Sequence, residues 1–433
     1  MNIRSIYYGI GSNILGNVVM LLATLWLTRI LDPQQFGQFR VGSSFATLMI
    51  PFIALGSERL VSRMLQNRKG GSTSEISSVI TVSFAVVLVS SVVLAASYPL
   101  LSPAIFKNQV PSSVYFVSIL LIPATIAYNL SNTIWRHTES TVAAQVHLNL
   151  TQRLWRGPLL IGFSSACSSA LSASLAMLLA QTLSLFQIHR HLKPFKPRSP
   201  QLQSLHFKSN LKQLATIGIP VAIMAAIDRL DILLINATMG VEAAGTYDII
   251  YMLSLTAMFP AMAMSKTSEP FLYNLKLDID RQNSIKQLQS RTLITSFIAV
   301  LGVAIAGPIL QGFLGNAGTD FSSAALVLSA GLAFSSVHGP VIEYLQINGK
   351  TKITLITVLA MLTGFFILKY TIANTGSLTS FAALAGLFYF ALRAALASYI
   401  RLKDGVEMSS KASVLTSSIM YVAITIYIIT QAR

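Results

Sequence analysis

Leu31-Asp32-Pro33-Gln34-Gln35-Phe36-Gly37-Gln38-Phe39 has a counterpart half a chain away, Met239-Gly240-Val241-Glu242-Ala243-Ala244-Gly245-Thr246-Tyr247. Gly37 corresponds to Gly245 and Phe39 to Tyr247, both at an offset of 208 residues. Each copy reads as a short loop between two long apolar stretches. A membrane protein built from two related halves uses the junction between them as its substrate path.

Composition around these motifs points to the same class. Apolar residues make up 53% of the 433, and charged residues only 11%. That balance excludes an ordinary soluble domain and fits a polytopic all-α membrane protein. The apolar runs are continuous for about 20 residues and do not alternate, so a β-barrel is excluded as well. Cys167 is the sole cysteine, which rules out a disulfide within the chain and any cysteine-based metal cluster. Thirteen spans are expected, at 7–28, 41–58, 76–101, 113–134, 141–163, 167–187, 214–236, 243–264, 292–314, 321–346, 353–372, 379–400 and 412–430. The first has no small-residue cleavage site behind it and reads as a retained helix.

Lysine and arginine set the expected orientation. One set of loops, with the N-terminus, holds 22 of the 31 basic residues, and the opposite set holds 4. The positive-inside rule places the first set in the cytoplasm. This bias, with attraction to anionic lipid, accounts for the net charge of +16. The basic residues are spread over separate loops without an aromatic-basic pattern, so nucleic acid is not an expected partner.

Two long basic loops organise the chain, at 189–213 and 265–291. The first is stiffened by Pro194, Pro197 and Pro200, and Leu202, Leu205 and Leu214 suggest a short interfacial helix. The expected architecture is two six-helix lobes, 1–188 and 214–402, joined by the linker 189–213. They form a parallel pseudo-repeat around a central cavity, with an extra C-terminal helix in 403–433.

Soluble-type chemistry finds little support. Gly349-Lys350-Thr351 imitates the end of a phosphate loop, but Tyr344 stands where the first glycine is required. No zinc-type motif occurs, and no metal or other cofactor is expected. The outward loops, of which 29–40 and 102–112 are longest, are too short for an outer catalytic domain, so an enzyme is not expected.

The informative residues are polar ones inside spans. Gln145, Asn149, Gln152, Arg153 and Arg156 fall at near-helical spacing in span five, which predicts one polar face. Arg153 is about 18 Å deep at 1.5 Å per residue. Facing lipid there costs an arginine at least about 2.5 kcal/mol, so the stripe must face water or protein. Either a cation-lined cavity or a structural arginine pair satisfies this. Asp228, Arg229 and Asp231 in span seven read as a substrate or coupling-ion site, or as a self-neutralising packing cluster. Arg393 in span twelve is a further candidate. Lys369 and Asp248 lie near span ends and are expected to snorkel. The pairs Asn13/Asn17 and Asn129/Asn132 suit either a cavity wall or helix–helix hydrogen bonds.

Thr28-Arg29-Ile30-Leu31-Asp32-Pro33-Gln34-Gln35-Phe36-Gly37 resembles the Arg-x-Leu-Gly-Pro-x-x-Tyr-Gly segment of bacterial Wzx-type polysaccharide flippases. That family belongs to the multidrug/oligosaccharidyl-lipid/polysaccharide exporter superfamily. Leu55 to Arg63, Ile219-Pro220, Asp228-Arg229 and Gly240 to Tyr247 extend the resemblance, whose plan covers about residues 1–400. Asp32 departs from the family's usual glycine, and the thirteenth span departs from its twelve helices. The resemblance implies alternating access by a non-enzyme in the bacterial inner membrane. The implied cargo is an oligosaccharide repeat unit on undecaprenyl pyrophosphate, as in O-antigen and lipopolysaccharide assembly. A polysaccharide polymerase and a chain-length regulator are the implied partners. Arg153, Arg156 and Arg229 would meet the pyrophosphate, Gln145, Asn149, Gln152 and Arg393 would line its path, and Asp228 or Asp231 would couple an ion. A lipid II flippase, a multidrug or cation antiporter, and a membrane glycosyltransferase or polymerase are the alternatives.

Overall fold

Where the expected spans are described they are mainly helical, because an apolar backbone in lipid must satisfy its own hydrogen bonds. The computed structural model describes residues 3–66, 73–138, 141–192, 207–262, 272, 279–314, 320–348, 350–373 and 377–431. No strand occurs among them. Eight of the helices, among the described residues, are long and apolar enough to cross a membrane by length and composition. The last of these is Lys411–Ile428, the extra segment predicted from its apolarity. The chain is thus a multi-pass, all-α membrane protein. It divides into two compact units, Met1–Gly245 and Thr246–Arg433.

The first unit contains α1 (Ile3–Ile30), α2 (Pro33–Ala54), α3 (Ser57–Gln66), α4 (Thr73–Ala96), α5 (Tyr98–Ala104) and α6 (Ser112–Thr138). It continues through α7 (Thr141–Val146), a π-helical turn (His147–Thr151), α8 (Gln152–Ala166), α9 (Ala170–His191) and α10 (Phe207–Met239). Helix α6 is the hub and packs against α2, α3, α4 and α9. Its sequence explains why: Tyr115, Ile122, Ile126 and Tyr128 are all fully buried and lie on several faces. Helix α4 does the opposite and leaves Leu88, Val89, Val92 and Val93 exposed, as a lipid-facing surface requires.

The first motif copy proves to be a helix start instead of a loop. Asp32 is the N-cap, and its carboxylate accepts from the Gln35 amide at 2.7 Å; Pro33 follows in the first turn. This gives the departure Asp32 a local role. In the second copy only Gly240 interrupts the helix, at φ +97°, where a side chain would be strained. The motif glycines are contact residues. A Cβ on Gly37 would lie 2.1 Å from the Val241 carbonyl oxygen, and one on Gly245 would lie 3.0 Å from Gly37 Cα. Phe39 and Tyr247, the paired aromatics, are both buried. The segment after α5 clamps the end of α10. Lys107 Nζ donates to the Thr238 carbonyl at 2.9 Å, Asn236 Nδ2 to that of Ile105 at 2.7 Å, and the Val241 amide to Gln109 Oε1 at 3.0 Å.

The second unit contains most of α11 (Val241–Leu255), then α12 (Ile279–Leu314), α13 (Phe321–Ser335), α14 (Val341–Ile347), α15 (Thr351–Ala373), α16 (Leu378–Asp404) and α17 (Lys411–Gln431). Helix α13 is its centre, packed by α12, α16 and α17. Small residues let it approach closely: a Cβ on Gly331 would lie 2.4 Å from Gly386 Cα in α16. The C-terminal helix is fixed here by Tyr421, whose hydroxyl donates to the Ala383 carbonyl at 2.7 Å and whose ring stacks on Phe390.

Two expectations change, and one falls outside the described residues. Helix α12 begins at Ile279, so the end of the predicted loop 265–291 is helical. Leu202 and Leu205, placed in an interfacial helix, lie outside the described residues. Lys369 and Asp248 do not snorkel; they are 3% and 0% exposed. The Lys369 ammonium sits over the rings of Phe388 at 5.0 Å and Phe381 at 5.8 Å, which favour a cation out of water.

Candidate functional site

The polar stripe of span five lies on α7, the π turn and α8. A π turn spends one extra residue, so α-helical spacing does not hold across His147–Thr151. The predicted single face accordingly divides between two neighbours. Toward α1, Asn149 Nδ2 donates to Ser12 Oγ at 3.5 Å. Gly16 of α1 lies so close that a Cβ there would be 2.0 Å from the Asn149 carbonyl and 2.8 Å from Arg153 Cδ. The Arg153 stem therefore rests on a glycine notch. Toward α9, Gln152 Nε2 and Arg156 Nη2 both donate to Gln181 Oε1, at 2.7 and 2.5 Å.

Gln181 is fully buried and escaped the sequence reading. One glutamine among the serines, threonine and second glutamine of α9 carries little local signal, although polar groups inside spans seldom lack a purpose. Two further neighbours complete the cluster. Tyr128 of α6 bonds to His147 Nδ1 at 3.1 Å and lies within electrostatic range of Arg156, as does Arg153. Gln145 is half-buried at the start of the stripe.

The cluster is electrostatically incomplete. Gln181 is neutral, so it orients Arg156 without cancelling its charge. Arg156 Nε and Gln181 Nε2 are buried and have no hydrogen-bond partner among the described residues. Two buried donors without acceptors carry a desolvation cost of about 1–3 kcal/mol each. An anionic ligand would relieve it, since a phosphate oxygen accepts from guanidinium and amide alike.

The other predicted residues stand elsewhere. Arg229 is half-buried and Asp231 is buried on α10, which packs against α2, α3 and α4. The α8 arginines face α1 and α9, so the structure places these two groups on different helix contacts. The Asp228 side chain lies outside the described residues. Arg393 is on α16 in the second unit, near the buried His338 of the turn before α14. Asn129 and Asn132 serve as helix–helix ties, donating to Glu58 Oε1 at 2.9 Å and to the Ala144 carbonyl at 3.0 Å. Among the described residues no group of three metal-ligating side chains occurs.

Solved structures share this fold. An inward-facing multidrug resistance MATE family transporter of the MOP superfamily aligns over 94% of this chain and 95% of its own, with a TM-score of 0.62 at 14% identity. An outward-facing structure of such a transporter aligns over 93% and 95%, with a TM-score of 0.60 at 14% identity. A chain named "protein A" gives 0.68 at 16% identity over 93% and 96%. No curated protein sequence matches. The sequence model of a family described as "Polysaccharide biosynthesis protein" matches residues 3–276. With that match over more than half its length, the chain belongs to the polysaccharide biosynthesis protein family, on a MATE-like transporter fold.

Proposed function

We propose that this chain is a flippase that moves an oligosaccharide on undecaprenyl pyrophosphate across the bacterial inner membrane by alternating access. The observation that carries this reading is the Arg156–Gln181 cluster. Its cation is held by a neutral amide, and two buried donors await acceptors. A pyrophosphate supplies several acceptor oxygens and the missing negative charge. The two-lobe plan, 1–188 and 214–402, with the N-terminus and the basic loops in the cytoplasm, belongs to the same proposal. So do coupling through Asp228 or Asp231 and work alongside a polymerase and a chain-length regulator.

The same fold carries multidrug transporters. An antiporter of organic cations needs a carboxylate where this cluster has arginine and glutamine, which favours the anionic cargo. The test is transport in proteoliposomes. A fluorescent lipid-linked pyrophosphate oligosaccharide should cross with wild-type protein. Arg156→Ala should slow it at least about tenfold, the worth of one charge-assisted hydrogen bond. Arg156→Lys should restore part, because lysine keeps charge but loses the planar fork. An Arg153→Ala/Arg156→Ala protein that folds and transports at the wild-type rate would overturn the reading. Efflux of a cationic dye in place of the lipid would select the antiporter.

A further inference from the structure

At the basic end of the second unit, α16 and α17 enclose a half-open cavity of about 370 Å³. The two helices are tied further along by Tyr421 on Ala383. At this end the connection Gly405–Ser410 comes between them, and Gly405, at φ +67°, turns the chain away from α16. The walls include Ala397 of α16 with Val414 and Leu415 of α17. The rim carries Arg401 and Lys411 together with the carboxylate of Glu407, and His338 contributes to the lining from the turn before α14.

Three observations identify what fits. First, the walls are mainly apolar, with Ser398, Ser409 and Ser418 among them, and the outer face of α17 exposes Leu415, Ile419, Val422 and Ile426. A crevice opening toward such a face is filled by hydrocarbon, since an empty one forfeits packing and apolar walls do not hold water. Second, the rim is cationic. Lys286, Arg401 and Lys411 surround one carboxylate, Glu407, which is bonded to Lys286 at 3.3 Å and to Arg401 at 3.1 Å. Glu407 neutralises one of the three, so positive charge remains for a phosphate. Third, His338 is 5% exposed, and its Nε2 is buried without a hydrogen-bond partner among the described residues. His338 lines the cavity, and a glycerol ester or hydroxyl placed there would supply it with a hydrogen-bond partner.

We infer that this cavity is a binding site for an anionic glycerophospholipid of the leaflet at the basic end. The phosphate sits on Arg401 and Lys411, and the glycerol region reaches toward His338. One acyl chain leaves along the exposed face of α17. The volume is near the lower limit of small-molecule sites, ~300–1,000 Å³, and suits a headgroup and the start of a chain. Basic pockets between spans on the cytoplasmic side are known receptors for anionic lipid headgroups. The segment that departs from a twelve-helix plan thereby gains a task, since α17 and its connection build much of the pocket. The inference does not depend on the cargo proposed for the first unit.

Native mass spectrometry of the full chain in detergent tests this, with phosphatidylglycerol and phosphatidylcholine as probes. The wild type should retain one phosphatidylglycerol with at least about tenfold preference, a difference of about 1.4 kcal/mol. Arg401→Gln/Lys411→Gln should bring that preference close to unity. Lys403→Gln, an exposed charge of the same helix outside the pocket, should leave it intact. Ser418→Trp, which fills the cavity, should displace the lipid; circular dichroism and gel filtration establish that each variant is folded. Equal retention of the two lipids by wild type, or an unchanged preference in the folded double variant, overturns the inference. So does displacement of the lipid by millimolar inorganic phosphate, which would mark a site for soluble anions.

Discussion

Both units hold cations that are at least partly buried, but these meet different partners. In the first unit, Arg156 donates to the neutral amide of Gln181 and keeps a spare donor. In the second, Lys350 lies 2.5 Å from one Asp404 carboxylate oxygen and 2.6 Å from the other, and Tyr344 donates to the same carboxylate at 3.2 Å. An amide fixes the direction of a guanidinium and leaves its charge standing. A carboxylate cancels the charge and fills the donors. The second arrangement stabilises the fold; the first stores an unmet demand for an anion.

The contrast breaks most visibly at Asp404. Removing a partner from a fully buried ion pair costs about 3–5 kcal/mol, chiefly from the charge left behind. The Lys350 side chain is 29% exposed, so part of that cost is relieved by water. Asp404→Ala should therefore destabilise the second unit by about 2–3 kcal/mol. Thermal unfolding in detergent reads this as a lowered Tm. The double change Lys350→Met/Asp404→Leu should recover most of the loss, because a packed apolar pair replaces the ions. A wild-type Tm for Asp404→Ala would mean that the pair is ornamental and the contrast false.

Gln181→Glu sharpens the contrast by importing the second unit's chemistry into the first. The carboxylate would pair with Arg156 and cancel the charge offered to a ligand. Transport of the lipid-linked pyrophosphate should fall about tenfold, while Tm stays level or rises. Transport at the wild-type rate with equal protein in the membrane would show that the Arg156 charge is not used.

The all-helical membrane class was legible in the sequence because it rests on a local signal: apolar length specifies a membrane helix, and eight such helices stand among the described residues. The offset of 208 between Gly37 and Gly245 marks two glycines that meet in the fold. Why those glycines are needed was not legible. The reason is a backbone approach between distant parts of the chain, Gly37 against Val241 and Gly245, which no local pattern reports. The motif also read as a loop, although Asp32 and Pro33 are a helix start signal in their own right. Arg156 and Gln152 were found by spacing, whereas Gln181 was missed because its partners are about thirty residues away on the neighbouring helix. The π turn, which packs against α1, is invisible in the same way, since no sequence rule marks it. Lys369 failed in the opposite sense: its place near a span end suggested exposure, and tertiary contacts with two phenylalanines overrode it.

The smallest effect separates an exposed pair from the buried one. Glu407 is 37% exposed and bonded to Lys286, with Arg401 and Lys411 nearby. The hydrogen bond from Lys286 is the main cause that holds its carboxyl below the ordinary value of 4.5, and the charges of Lys286, Arg401 and Lys411 assist. A carboxyl with a depressed pKa in the folded state stabilises that state above its unfolded value and loses the contribution as acid protonates it. The difference in Tm between wild type and Glu407→Gln should thus be present at pH 7 and fade as pH falls below about 4.5. It should be small, about 0.5 kcal/mol, because water screens an exposed pair, and salt should weaken it further. Asp404→Asn, by contrast, should keep a large deficit in high salt, since a buried pair is poorly screened. If Glu407→Gln matched Asp404→Asn in size and salt resistance, the basic end of the second unit would be one buried network, and the cationic rim left for a phospholipid would disappear with it.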